Sequence, residues 1–110
     1  LNIQIFGTLK CQETRKAQRY FKERRIPFQF INLAEKGLSK GELNSVKNAV
    51  GADSVIDKES KEYARLNLKY MGHDPDEEAL KHPLILKTPI VRNGARATVG
   101  YSPEIWKTWE

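Results

Sequence analysis

The hydrophobic period changes twice within the first 32 residues, and this restricts the fold more than any other feature of the chain. Ile3 and Ile5 alternate with Asn2 and Gln4, and Phe6 extends the apolar stretch, so residues 2–6 read as a strand. From 12 to 24 the spacing lengthens: Ala17, Tyr20 and Phe21 share one face of an amphipathic helix whose other faces are charged. The segment 26–32 returns to strand character, with Pro27 marking its start. A β-α-β unit results, with two parallel strands and a right-handed crossover.

The middle of the chain reads as helical. Ser39 with Glu42 three residues on forms a capping-box pattern, Leu43, Val46 and Val50 supply a buried face, and Gly51 ends that helix. Residues 53–71 continue in a mainly helical region carrying Val55, Ile56, Tyr63, Leu66, Leu68 and Tyr70. Gly72-His73-Asp74-Pro75 breaks it before a short helix over 76–81. Strands then return: Leu84-Ile85-Leu86 leads into 88–91, Asn93-Gly94 turns, and 96–99 pairs back, Asn-Gly between apolar runs being a strong hairpin signal. Ser102 is the expected cap of a last helix that opens on Pro103 and carries Ile105, Trp106 and Trp109. This order is that of an α/β chain with a thioredoxin-like, mixed four-stranded sheet and a helical insertion at about 39–81.

At 110 residues the chain fits one domain, 1–110, with room for a core that needs no staples. One cysteine excludes an internal disulfide, and no apolar run has the length of a membrane span or signal peptide. A reducing, cytoplasmic setting and a monomer are the expectations. Leu1 in place of Met is expected to mean that the numbering begins just inside the native N-terminus.

That cysteine, Cys11, follows the first strand through Gly7-Thr8-Leu9-Lys10 and precedes the basic helix. A helix N-terminus offers unpaired N–H groups and partial positive charge, which favour a thiolate, so nucleophilic sulfur chemistry is the leading reading. The structural alternative is a small buried hydrophobe. Net charge is +5, from 19 Lys and Arg against 14 Asp and Glu, with the excess concentrated between Lys10 and Arg25. This stretch reads as a solvated helix face, as support for the thiol and an anion, or as a nucleic-acid surface. Direct nucleic-acid binding is not expected, because no aromatic residues alternate with the charges. His73 and His82 are isolated, without the spacing of metal ligands or a nucleophile-base pair, and His82 reads as structural.

Taken in order, Cys11-Gln12-Glu13-Thr14-Arg15-Lys16-Ala17, His82-Pro83-Leu84-Ile85-Leu86, Thr88-Pro89-Ile90-Val91 and Val99-Gly100-Tyr101 resemble the ArsC/Spx family across nearly the whole chain. That family comprises glutaredoxin-dependent arsenate reductases, Spx transcription regulators and their relatives, on a thioredoxin fold with a helical insert. The resemblance implies that Pro89 is cis and lies beside Cys11, with Thr88 presenting backbone groups to a thiol compound. It also implies that Arg15 stabilises the thiolate or holds an anion, and Thr14 is expected to hydrogen-bond the sulfur or to cap the helix.

The chain departs from the family at informative places. Thr14 stands where dithiol proteins carry the second cysteine of Cys-X-X-Cys, so a redox cycle needs an external thiol: glutathione, glutaredoxin or thioredoxin. Arsenate reductases of this type use three further arginines, and here Asp57 (or Lys58), Thr88 and Tyr101 occupy those positions. Oxyanion affinity rests on charge-assisted bonds, so arsenate reduction is doubtful. Lys58, Lys87, Arg92 and Arg96 are the candidate substitutes, with Arg92 and Arg96 read as solvent-facing hairpin charges. The expected function is thus that of a monothiol oxidoreductase acting through Cys11, with no bound cofactor or metal. The alternatives are an Spx-like regulator that binds RNA polymerase and a thiol-binding relative without turnover.

Overall fold

The computed structural model describes residues 1–68 and 74–110. Its sheet has four strands, β1 (Ile3–Gly7), β2 (Phe28–Asn32), β3 (Ile90–Asn93) and β4 (Arg96–Val99), in the order β2-β1-β3-β4. β1 is parallel to β2 and antiparallel to β3, and β3 and β4 form the hairpin turned by Asn93 and Gly94. Gly94 takes a φ of 61°, the left-handed conformation that suits glycine in such a turn. The sheet is mixed and thioredoxin-like, as the periodicity implies.

Strand alternation divides the core in two. On one face Ile3, Ile5 and Val91 pack against Ala17, Tyr20 and Phe21 of helix α1 (Gln12–Glu23) and against Trp106 of helix α5 (Pro103–Trp106). Trp106 is fully buried, and its indole N–H donates to Thr98 Oγ1 at 2.8 Å, satisfying the polar atom that burial would otherwise strand. On the other face Phe6 and Ile90 meet Leu43 and Val46 of helix α2 (Lys40–Val50), together with Val55, Tyr63, Ile85 and Leu86. Helices α3 (Lys61–Arg65) and α4 (Pro75–Lys81) complete this layer. Ser39 and Glu42 close the capping box of α2, and Gly51 ends it at a φ of 92°.

Four expectations need correction. Leu84-Ile85-Leu86 is no strand: Pro83–Ile85 form a 3-10 turn, and Leu86 makes only an isolated bridge to Ile56. Pro83 removes a backbone donor there, which suits a turn better than a ladder. Of the region 53–71, the described part 53–68 is less helical than its apolar spacing suggests, holding α3 after a 3-10 turn over Ala52–Ser54. Ser102 stands at the start of α5, but its hydroxyl donates to the carbonyl of Gly100 at 3.4 Å and leaves the helix uncapped. Arg92 is not a solvent-facing charge. Its strand face is covered by α2, where it donates to Gln4 Oε1 at 2.7 Å and stands 3.9 Å from Glu42, while Arg96 is exposed as expected. Tyr70 and the Gly72-His73 part of the expected break lie outside the described residues.

Candidate active site

The antiparallel pairing of β1 and β3 builds the site. Phe6 pairs with Ile90, so the end of β1 and the start of β3 share one edge of the sheet. From that edge the chain leaves through Gly7 toward Cys11 and enters through Thr88 and Pro89, whose peptide bond is cis. Residues distant in sequence thereby meet: Thr88 Oγ1 donates to Cys11 Sγ at 3.1 Å. The thiol in turn faces the Thr88 carbonyl at 3.8 Å. Thr88 therefore meets the sulfur in both protonation states, and the closer contact is the one a thiolate accepts.

Cys11 occupies the N-cap position of α1 with extended backbone, φ −77° and ψ 117°, while its carbonyl accepts the first helical bond from Arg15 N–H at 3.2 Å. Its side chain is half-buried and free of any disulfide. Burial, the largest single influence, pushes the thiol up; the hydroxyls of Thr14 and Thr88 and the backbone N–H groups of Thr14 and Glu13 together outweigh it. The thiol consequently lies below the ordinary cysteine value. The two hydroxyls differ in geometry. Thr88 is already bonded to Sγ, whereas Thr14 Oγ1 is buried and has no hydrogen-bond partner. We rank Thr88 first for this reason, with Thr14 a spare donor that can rotate to sulfur as charge forms.

Gly7 makes room for Thr14. A Cβ on Gly7 would overlap the Thr14 hydroxyl and methyl, with Thr14 Cβ itself only 3.0 Å away. This close approach of strand to helix holds the Thr14 side chain beneath the first turn of α1.

Arg15 stands apart from this cluster. It is exposed, lines a shallow cleft with Gln12, Lys16 and Arg19, and does not figure among the influences on the thiol. The cis-proline and both threonines come together at Cys11, while Arg15 faces solvent on the next turn.

Beside Thr88 opens a groove of about 560 Å³, whose lining includes Leu9, Lys10, Asn32, Asp57, Lys61 and Thr88. Asp57 and Thr88 both face this space, while Tyr101 lies over α5 against Trp106. Of the candidate substitutes, Lys87 is exposed, Lys58 lines a different cavity, and Arg92 is held under α2. Among the described residues, the cations that line the groove are Lys10 and Lys61, which the sequence did not single out. Lys10 adjoins Cys11, but its direction depends on the turn at Thr8. Lys61 reaches the groove only because the insertion folds back over the loop after β1. Among the described residues, no group of three or more His, Cys, Asp or Glu is placed to hold a metal, and no helix is long and apolar enough to cross a membrane.

Comparison with known proteins adds two kinds of likeness. The ArsC family pattern matches residues 6–109. Global transcriptional regulator Spx 2 of Oceanobacillus iheyensis is 32% identical over 107 residues, covering 92% of this chain and 78% of the regulator. Global transcriptional regulator Spx of Bacillus subtilis is 27% identical over 107 residues, covering 93% of this chain and 82% of that one. Among solved structures, arsenate reductase from Vibrio cholerae superposes with a TM-score of 0.79 at 22% identity, over 96% of this chain and 94% of the other. At that identity the superposition speaks for the fold alone.

Proposed function

Because the chain belongs to the ArsC family and sets its one cysteine against Thr88 and a cis-proline, we propose that it is a monothiol oxidoreductase working by thiol–disulfide exchange. The observation that carries this reading is the 3.1 Å bond from Thr88 Oγ1 to Cys11 Sγ, in a setting that lowers the thiol. The Cys11 thiolate attacks one sulfur of a disulfide or glutathione adduct. A new S–S bond forms, the old one breaks, and the departing thiolate leaves with the electron pair and takes a proton from solvent. An external thiol such as glutathione, or the thiol of glutaredoxin or thioredoxin, then attacks the mixed disulfide and releases Cys11 as thiolate. Thr88 and Pro89 position the incoming sulfur compound, and the Thr88 and Thr14 hydroxyls stabilise the thiolate in both half-reactions. Arg15 serves as an anion contact one turn away. No resolving cysteine exists within the chain, so the second half-reaction comes from outside.

Arsenate reduction proper is the narrower version and finds less support. The resemblance puts Asp57, or one residue off Lys58, where the family's reductases carry arginine, and Asp57 brings negative charge into the groove, which opposes an oxyanion. The test is turnover of a glutathione mixed disulfide and of arsenate, each with glutathione and glutaredoxin, with Cys11→Ser as control. The expected result is Cys11-dependent turnover of the disulfide and little or none of arsenate. Efficient arsenate reduction would contradict the reading.

A second reading rests on the curated relatives, which are named as Spx regulators and reach 32% identity. On this reading the chain docks on RNA polymerase. Retention by purified polymerase regardless of Cys11→Ser, with no disulfide turnover, would favour it over the oxidoreductase.

A further inference from the structure

The helix that starts at Cys11 carries a basic face that, beyond Arg15, the exchange chemistry leaves unused. Gln12, Arg15, Lys16 and Arg19 recur at the spacing of one helical stripe and line a shallow cleft along α1. Lys16 and Arg19 then pass into a second groove, of about 460 Å³, which they line together with Arg24, Tyr101 and Lys107. Among the described residues, Arg15, Lys16, Arg19 and Lys107 form no ion pair. Arg24 is pinned with its guanidinium 3.7 Å from the centre of the Tyr20 ring. Among the described residues, Glu23 is the one acid lining the groove, and Glu110 accepts from the Tyr20 hydroxyl beside it. Tyr101 is 42% exposed, with its ring set edge-on against Trp106. Cations without a carboxylate partner and a supported exposed aromatic ring, on and beside the helix that Cys11 starts, suit a negatively charged ligand that also reaches Cys11.

Resting on the exchange reading above, we propose that this face receives an acidic segment of a protein whose own sulfur reacts with Cys11. Helix geometry supplies the scale. At 1.5 Å per residue, Arg19 lies about 12 Å and Arg24 about 20 Å along the axis from Cys11. An extended peptide at roughly 3.3 Å per residue covers that span in about four to six residues. The preferred partner therefore carries Asp or Glu about four to six residues from its reactive cysteine. A polypeptide fits better than a nucleic acid. Single-stranded nucleic acids stack bases on a series of aromatic rings, whereas among the described residues two rings line this groove and each already faces a cation, Tyr20 under the Arg24 guanidinium and Tyr101 with the Lys16 ammonium 6.0 Å from its centre.

The test uses two synthetic peptides of equal length, each with one cysteine held as a disulfide to 2-thiopyridine. One carries four acidic residues at the predicted distance and the other carries glutamine there. Attack by the Cys11 thiolate forms the Cys11–peptide disulfide, and 2-thiopyridone departs with the electron pair, takes up a proton and is read by its absorbance. At low salt the acidic peptide is expected to react at least about tenfold faster, within the range that electrostatic steering provides. High salt and the triple variant Lys16→Glu, Arg19→Glu, Lys107→Glu are each expected to abolish the preference. Neutral 2,2′-dithiodipyridine should meanwhile react with that variant at the wild-type rate, showing a folded protein with an intact thiol. Equal rates for the two peptides, with dithiodipyridine still reacting, would overturn the docking face and leave the exchange reading standing. A thiol inert to all three probes would overturn both. An oligonucleotide that binds the face more tightly than the acidic peptide would assign it to nucleic acid and overturn the proposal.

Discussion

At the scale of single residues, the account turns on the side chains that touch Cys11. Thr88 is the donor already in hydrogen-bonding position. Thr88→Val removes that donor at nearly constant volume, so the Cys11 midpoint, followed by thiolate ultraviolet absorbance, is expected to rise, while Thr88→Ser keeps it near wild type. An unchanged midpoint in the valine variant would transfer the role to Thr14 and the backbone. Gly7 acts through space alone. Gly7→Ala drives a Cβ into Thr14, and the expected loss is about 1–3 kcal/mol in urea unfolding, the usual range for overpacking. The lone cysteine and the candidacy of Thr14 were legible in the sequence, whereas the cis-proline and the candidacy of Thr88 came from what the family resemblance implies. The close approach of Gly7 to Thr14 was not, since it depends on how tightly helix and strand pack. Arg15 follows Cys11 by one helical turn, yet its side chain is exposed and does not figure among the influences on the thiol, which sequence spacing alone does not reveal.

At the scale of elements, helix α1 carries both the thiol at its start and an unfavourable residue at its end. Ile26 N–H bonds the Phe21 carbonyl at 2.9 Å and Arg25 N–H bonds that of Lys22 at 3.1 Å, a Schellman closure. Arg25 takes a φ of 58° there, in the left-handed region where glycine is at ease. Arg25→Gly is expected to stabilise the protein by about 1 kcal/mol, read as a higher thermal midpoint, without changing the reactivity of Cys11. No change or a loss would show that Arg25 makes compensating contacts. Regular elements were the easiest part to read. Strand alternation in β1, the Asn93-Gly94 turn and the Ser39 capping box are local signals, and each appears where its chemistry is written. The segment 84–86 shows the limit: a short apolar run cannot tell a strand from a buried turn until its hydrogen-bond partners are known. Arg92 shows the same limit, since alternation assigns it a face but not what covers that face.

At the scale of the whole molecule, sheet order brings the two halves of the site together. With β1 central and antiparallel to β3, the loops bearing Cys11 and Thr88 leave the same edge, and the insertion between β2 and β3 folds over to wall the groove. Global stability is then linked to the thiol. The folded Cys11 value is depressed, so its stabilising contribution is fully present above the unfolded cysteine value of about 8.5 and is lost as pH falls through the folded value. The stability of wild type relative to Cys11→Ser is therefore expected to increase with pH across that window, as followed by urea unfolding; a difference that stays flat or falls would mean the thiol is not depressed by folding. The most direct test of the central claim is the rate of Cys11 alkylation by iodoacetamide as a function of pH. The account predicts a single midpoint clearly below about 8.5. A midpoint at or above that value would mean that burial outweighs the threonine and helix donors, and that Cys11 is a packing residue and not a nucleophile.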